Sequence, residues 1–161
     1  YDARSRSSGS GVLLLTSNTV KSDDKISKFF TYKEALFLPK WNRMAEDKDG
    51  VTAEVLSNLT ILFSKMDEIR KHFNKSVIVH ISFRSKEYNA LVGGAKKSAH
   101  MDGMACDFHV KGLDCGEVRK QIVDNKLLET LNMRMEDNHG SDWVHLDLKT
   151  VLKGGNRFFK V

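Results

Sequence analysis

Ser98-Ala99-His100-Met101-Asp102-Gly103-Met104-Ala105-Cys106-Asp107 is the stretch on which both the fold and the chemistry turn. At its end Met104, Cys106, Phe108 and Val110 alternate with Ala105, Asp107 and His109, the period of a strand with one oily and one polar face. Asp107 therefore points away from the core. In Asp142-Trp143-Val144-His145-Leu146-Asp147, the apolar parity is Val144, Leu146 and Leu148, so His145 and Asp147 point the other way. If the two strands are neighbours, Asp107 and His145 project from one face of one sheet. His100, at a loop end just before Gly103, can fold over that face. Two imidazoles and one carboxylate make a three-ligand zinc set whose fourth position is left for water.

The spacing alone leaves alternatives. His109 shares the parity of Asp107 and competes as a ligand. His72 at a helix end, His80 in a strand and His139 in a turn before Gly140 read as structural, and Asp102 as a loop charge. Asp147 reads as support for a ligating histidine. Zinc lowers the pKa of water from ~15.7 to about 7, and a carboxylate must then take the proton. Asp142, three residues before His145 on the turn entering its strand, is placed for that role. Arg84, just past a strand end, can hold a substrate carboxylate or steady an oxyanion.

Upstream, Thr52 caps a predicted helix in which Val55, Leu59, Leu62, Phe63, Met66, Ile69 and Phe73 form one apolar stripe. Val77, Val79, Ile81 and Phe83 then alternate with Ile78, His80 and Ser82 as a strand. Residues 85–99 hold Gly93-Gly94 with little periodicity and are expected to be a long loop. Asp114 and Glu117 open a helix expected to run through Val118 and Ile122 toward Leu127-Leu128. Short strands are expected over 131–135, 143–148 and 157–161. Thr31 and Glu34 fit a capping box for a short helix stopping at Pro39. The order predicts an α+β domain with a mostly antiparallel sheet. It is expected to span residues 25–161. Residues 1–24, with Arg4-Ser-Arg-Ser-Ser-Gly-Ser-Gly11, are expected to be a flexible tail or an expression remnant.

Composition narrows the class. The chain has 161 residues, 40% hydrophobic and 29% charged, as in ordinary globular domains. No apolar run approaches the ~20 residues that cross a bilayer. Two cysteines, Cys106 and Cys115, are too few for a disulfide scaffold and form no Cys-x-x-Cys pair. A net charge of +5 suits an anionic partner. Basic runs interleaved with aromatics are absent, so nucleic acid is not the expected partner.

Ser98 to Asp107 resembles the Ser-x-His-x-x-Gly-x-Ala-x-Asp signature of the zinc D-Ala-D-Ala carboxypeptidase family. That family includes D-Ala-D-Ala dipeptidases and phage L-alanyl-D-glutamate endolysins, and shares its fold with the Hedgehog signalling domain. Phe83-Arg84-Ser85-Lys86-Glu87-Tyr88-Asn89 followed by Val92-Gly93-Gly94 is similar to its arginine-bearing loop. Asp142-Trp143-Val144-His145 is similar to its second block, with Asp where many relatives carry Glu. Phe30-Thr31 with Glu34-Ala35 resembles the opening helix of a phage and bacterial subgroup.

The resemblance covers residues 26–148. It implies a Hedgehog/DD-peptidase-like fold, with helices on one side of a central sheet and zinc on the other. His100, Asp107 and His145 would be ligands, Asp142 the general base, Arg84 the substrate clamp and Ser98 a hydrogen-bonding support. The implied activity is hydrolysis of peptidoglycan stem peptides by a monomer acting on the bacterial wall, as a phage lysin, a virion-associated hydrolase or a periplasmic or secreted enzyme. The competing reading is a non-catalytic, zinc-containing, Hedgehog-like binding module. The presence of both Arg84 and Asp142 argues against it, because a structural zinc needs neither.

Overall fold

The computed structural model of the chain describes residues 12–15 and 18–161, with side chains from residue 21 onward. Of the segment expected to be a tail, residues 1–11, 16 and 17 lie outside the described residues. Val12–Leu15 (β1) and Asn18–Lys21 (β2) pair antiparallel.

Thr31 opens the helix Tyr32–Leu36 (α1) with a full capping box to Glu34. The chain then extends as Phe37–Leu38 (β3), turns at Pro39, and returns as Arg43–Met44 (β4). The long helix Ala53–Phe73 (α2) starts where the Thr52 hydroxyl accepts the Val55 N–H at 3.1 Å, and ends at Asn74 in the left-handed region. Its predicted stripe is the buried one, from Val55 through Phe73.

The central sheet contains Val77–Ile81 (β5), Ala105–Val110 (β6), Arg134–Glu136 (β7), Val144–Asp147 (β8) and Phe158–Phe159 (β9), in the order β5-β6-β8-β7-β9. All pairings are antiparallel except β7 with β9. Cys106 lies opposite Leu146 and Phe108 opposite Val144, and these four side chains are buried in one core with Leu59, Phe63, Met66 and Ile69 of α2. The alternate register places Asp107 opposite His145 and Ala105 opposite Asp147 on the other face. Helices thus cover one side of an α+β sheet and leave the polar side to the site.

Three elements differ from their sequence expectation. The expected loop 85–99 contains the helix Lys86–Leu91 (α3), capped by Ser85, whose hydroxyl accepts the Tyr88 N–H. Six residues are too few to display a helical period. The expected helix through Leu127-Leu128 is two, Cys115–Asp124 (α4) and Leu127–Leu131 (α5), because Lys126 takes a left-handed φ of 55° between them. Asn132, at φ 53°, ends α5 and delays the next strand to Arg134. Such non-glycine left-handed residues carry no reliable signal in the chain. Cys106 and Cys115 are both buried and both free. Among the described residues, no helix is long and apolar enough to cross a membrane.

Candidate metal centre

Ser98 begins the short 3-10 turn Ala99–Asp102 by accepting the His100 N–H on its hydroxyl at 3.2 Å. Gly103 closes that turn with φ +70°, and a Cβ there would meet the Val55 carbonyl at 2.7 Å. Only glycine lets the turn lie against α2. The same turn carries His100 over the polar sheet face.

One ligand-type atom from each of His100, Asp107 and His145 lies within 4.8 Å of the others, and all three residues are buried. His100 Nδ1 lies 2.6 Å from the Ser82 carbonyl, to which it donates, leaving Nε2 bare toward Asp107 Oδ1 at 3.3 Å. His145 Nε2 lies 3.0 Å from Asp147 Oδ2, and its Nδ1 lies 2.8 Å from Asp107 Oδ1. Each imidazole therefore has one nitrogen engaged outward and the other turned inward, the arrangement that orients histidine ligands. The inward set fits a zinc ion: His100 Nε2, Asp107 Oδ1 and His145 Nδ1 would hold it. His109 is not part of this group.

The protonation pattern follows from this crowding. Burial resists a charged His145, but hydrogen bonds from its ring to Asp107 and Asp147 outweigh that and push its pKa up to about 9. Burial likewise resists a charged Asp107, yet His100 and His145 hold its carboxyl well below the usual range. Without metal, a proton on His145 occupies the role of the cation.

Around these three residues, Asp147 accepts two hydrogen bonds from Arg134, at 2.9 and 3.0 Å. The Arg134 guanidinium in turn lies 4.1 Å from the centre of the Phe159 ring. Arg84 donates its backbone N–H to the His100 carbonyl at 3.0 Å, and its guanidinium lies 3.6 Å from Asp107 Oδ2. Asn89 steers it by accepting from Arg84 Nη1 at 3.3 Å, and anchors itself on the Ala95 carbonyl at 2.9 Å. A Cβ on Gly94 would collide with the Asn89 amide, which is why the chain has no side chain there. Arg84 Nε is buried with no hydrogen-bond partner.

Arg84, Ser98, His100, Asp107, His145 and Asp147 line one hollow of about 630 Å³. Asp142, the proton acceptor expected from the sequence, lies on the turn entering β8, with its neighbour Trp143 on the wall of this hollow. Asp142 is exposed and lines the adjoining hollow with His80 and His109. Glu136, for which the sequence carries little signal, lines the metal-facing hollow and also a neighbouring one with Arg119 and Phe158. Arg134 pairs with Asp147 and Met135 with Leu146, and Glu136, two residues beyond Arg134, shares the face on which Arg134 meets Asp147. The only sequence signal for it was the alternation Arg134-Met135-Glu136, three residues long.

A buried His-Asp-His set that could hold a metal ion, with a guanidinium beside it, suits a metal-dependent hydrolase. The model of the family Peptidase M15 matches residues 31–147, a span that includes His100, Asp107 and His145. The protein belongs to that family, the zinc-dependent D-Ala-D-Ala carboxypeptidase family, and is a zinc metallopeptidase. No curated protein matches the chain.

Proposed function

We propose that the protein hydrolyses peptide bonds in bacterial peptidoglycan stem peptides, as a D,D-carboxypeptidase or an L-Ala-D-Glu endopeptidase. The observation carrying this reading is that the His100-Asp107-His145 set and the Arg84 guanidinium share one hollow. When bound, zinc supplies a Lewis acid and a water acidified to near-neutral pKa. Arg84 binds the carboxylate of the substrate, helped by Lys97 on the wall of the same hollow. The wall peptides are acidic, and the net charge of +5 draws the protein toward them.

A carboxylate has to take the proton from the attacking water and return it to the leaving amine. Glu136 is the acid assigned to this step, supported by its place in the metal-facing hollow. Asp142, three residues before His145, is the second candidate. Its support is sequence spacing, while its side chain lines the neighbouring hollow.

The setting that fits is the bacterial wall, reached by a phage lysin or by an exported bacterial enzyme. Digestion of purified peptidoglycan with and without a chelator, with mass analysis of the products, tests the proposal. Released D-Ala marks a carboxypeptidase, and new L-Ala and D-Glu termini mark an endopeptidase. Zinc-loaded protein that releases neither contradicts the reading.

A further inference from the structure

His145 touches an aromatic ring that comes from outside the His100-Asp107-His145 set. The Phe159 ring lies edge-on to it, with the centres 5.4 Å apart and the planes at 77°. The same ring carries the Arg134 guanidinium over it, 4.1 Å from its centre.

Strand pairing brings Phe159 to this place. β9 runs parallel to β7, with Phe158 opposite Met135 and Phe159 opposite Glu136. Met135 donates its N–H to the Arg157 carbonyl at 2.9 Å, and Asp137 donates to the Phe159 carbonyl at 2.7 Å. Alternation along the strand then sends the two phenylalanines to opposite faces. Phe158 lines a hollow with Val123 of α4 and Met135, whereas Phe159 lines the metal-facing hollow with Arg134 and His145. β9 lies beyond residue 147, where the family match ends.

We propose that Phe159 is a positioning residue for His145, bracing it both directly and through the Arg134–Asp147 pair. This role rests on His100, Asp107 and His145 holding the zinc. The bond from His145 Nε2 fixes the ligand ring only as firmly as Asp147 itself is held. Arg134 grips that carboxylate through Nε and Nη2, donors that point along the plane of the guanidinium. Its flat faces are left for stacking, and an aromatic ring is what such a face accepts. Side-chain exposure is 13% for Arg134 and 1% for Asp147, so solvent screens the contact little. A cation–ring contact shielded from water sits at the strong end of its range, about tenfold or more in an equilibrium constant. Without the Phe159 ring Arg134 gains room to swing, Asp147 follows it, and His145 loses the orientation that zinc needs.

Metal binding, not hydrolysis, is the readout, so the choice of substrate does not enter. Full chain stripped of metal is titrated with zinc against a chromogenic chelator, and with cobalt for its visible spectrum. Phe159→Ala is expected to weaken zinc binding about tenfold and to shift the cobalt bands. Phe159→Tyr keeps the ring and restores both readouts. Phe158→Ala, on the same strand but the opposite face, leaves both unchanged. A Phe159→Ala chain that binds zinc as tightly as the native chain overturns the inference. So does a Phe158→Ala chain that loses as much, since the strand and not the ring would then matter. His100→Gln checks the metal centre separately: it should remove tight binding, and a variant that keeps it overturns that centre and this role together.

Discussion

Asp147 accepts from His145 Nε2 at 3.0 Å while both arms of Arg134 grip the same carboxylate, so the ligand ring is fixed by a chain of partners running out to β7. It leaves His145 Nδ1 turned toward Asp107 Oδ1 at 2.8 Å. Outer partners of this kind are typically worth about 10–100-fold in metal affinity. Asp147→Ala is therefore expected to weaken zinc binding by that factor, as read by competition with a chromogenic chelator. An unchanged affinity would show that His145 holds its orientation unaided.

The His145 pKa of about 9 makes zinc uptake a proton exchange. In the metal-free protein its folded pKa lies above the ordinary 6.5, so its contribution to stability is fully present below pH 6.5 and lost as pH rises through about 9. Zinc runs the opposite way, since it must displace that proton. Its affinity should rise up to about pH 9, with about one proton released from His145 per zinc at pH 7. Calorimetry in two buffers of different ionisation enthalpy counts that proton, and urea denaturation of metal-free protein at pH 6 and above 9 reads the stability loss.

Glu136 and Asp142 are separable by single substitutions. Glu136→Gln is expected to lower kcat by roughly 10²–10⁴-fold while the protein keeps its tight zinc. Asp142→Asn is expected to leave kcat within a few-fold. The reverse outcome returns the proton-handling role to Asp142.

Gly94 packs where a side chain would strike the Asn89 amide that steers Arg84. Gly94→Ala should push Asn89 and Arg84 out of place and raise KM more than it lowers kcat. Arg84→Met should do the same more severely, since it removes the guanidinium altogether. Steady-state kinetics on a defined stem peptide distinguish these effects from a loss of zinc.

Strand parity was the most readable feature of this chain. The alternation around Asp107 and around His145 placed both on the polar face, and the register of β6 with β8 sets them opposite each other. The α2 stripe was equally plain because 21 residues give the helical period room to repeat. Glu136 was hidden because its strand is three residues long, and its position depends on pairing with β8 rather than on anything local. The His80–His109 contact was hidden by a bulge between Val79 and Ile81 of β5, since a shift in register cannot be read from one strand alone. Lys126 and Asn132 broke the helices at positions where the chain carries neither glycine nor proline.

One zinc ion is expected to be held by His100 Nε2, Asp107 Oδ1 and His145 Nδ1. Anomalous scattering at the zinc edge from crystals of the zinc-loaded protein tests it most directly. The strongest peak is expected within about 2.0–2.2 Å of those three atoms. A strongest peak elsewhere, with this set still closed on the His145 proton, would contradict it.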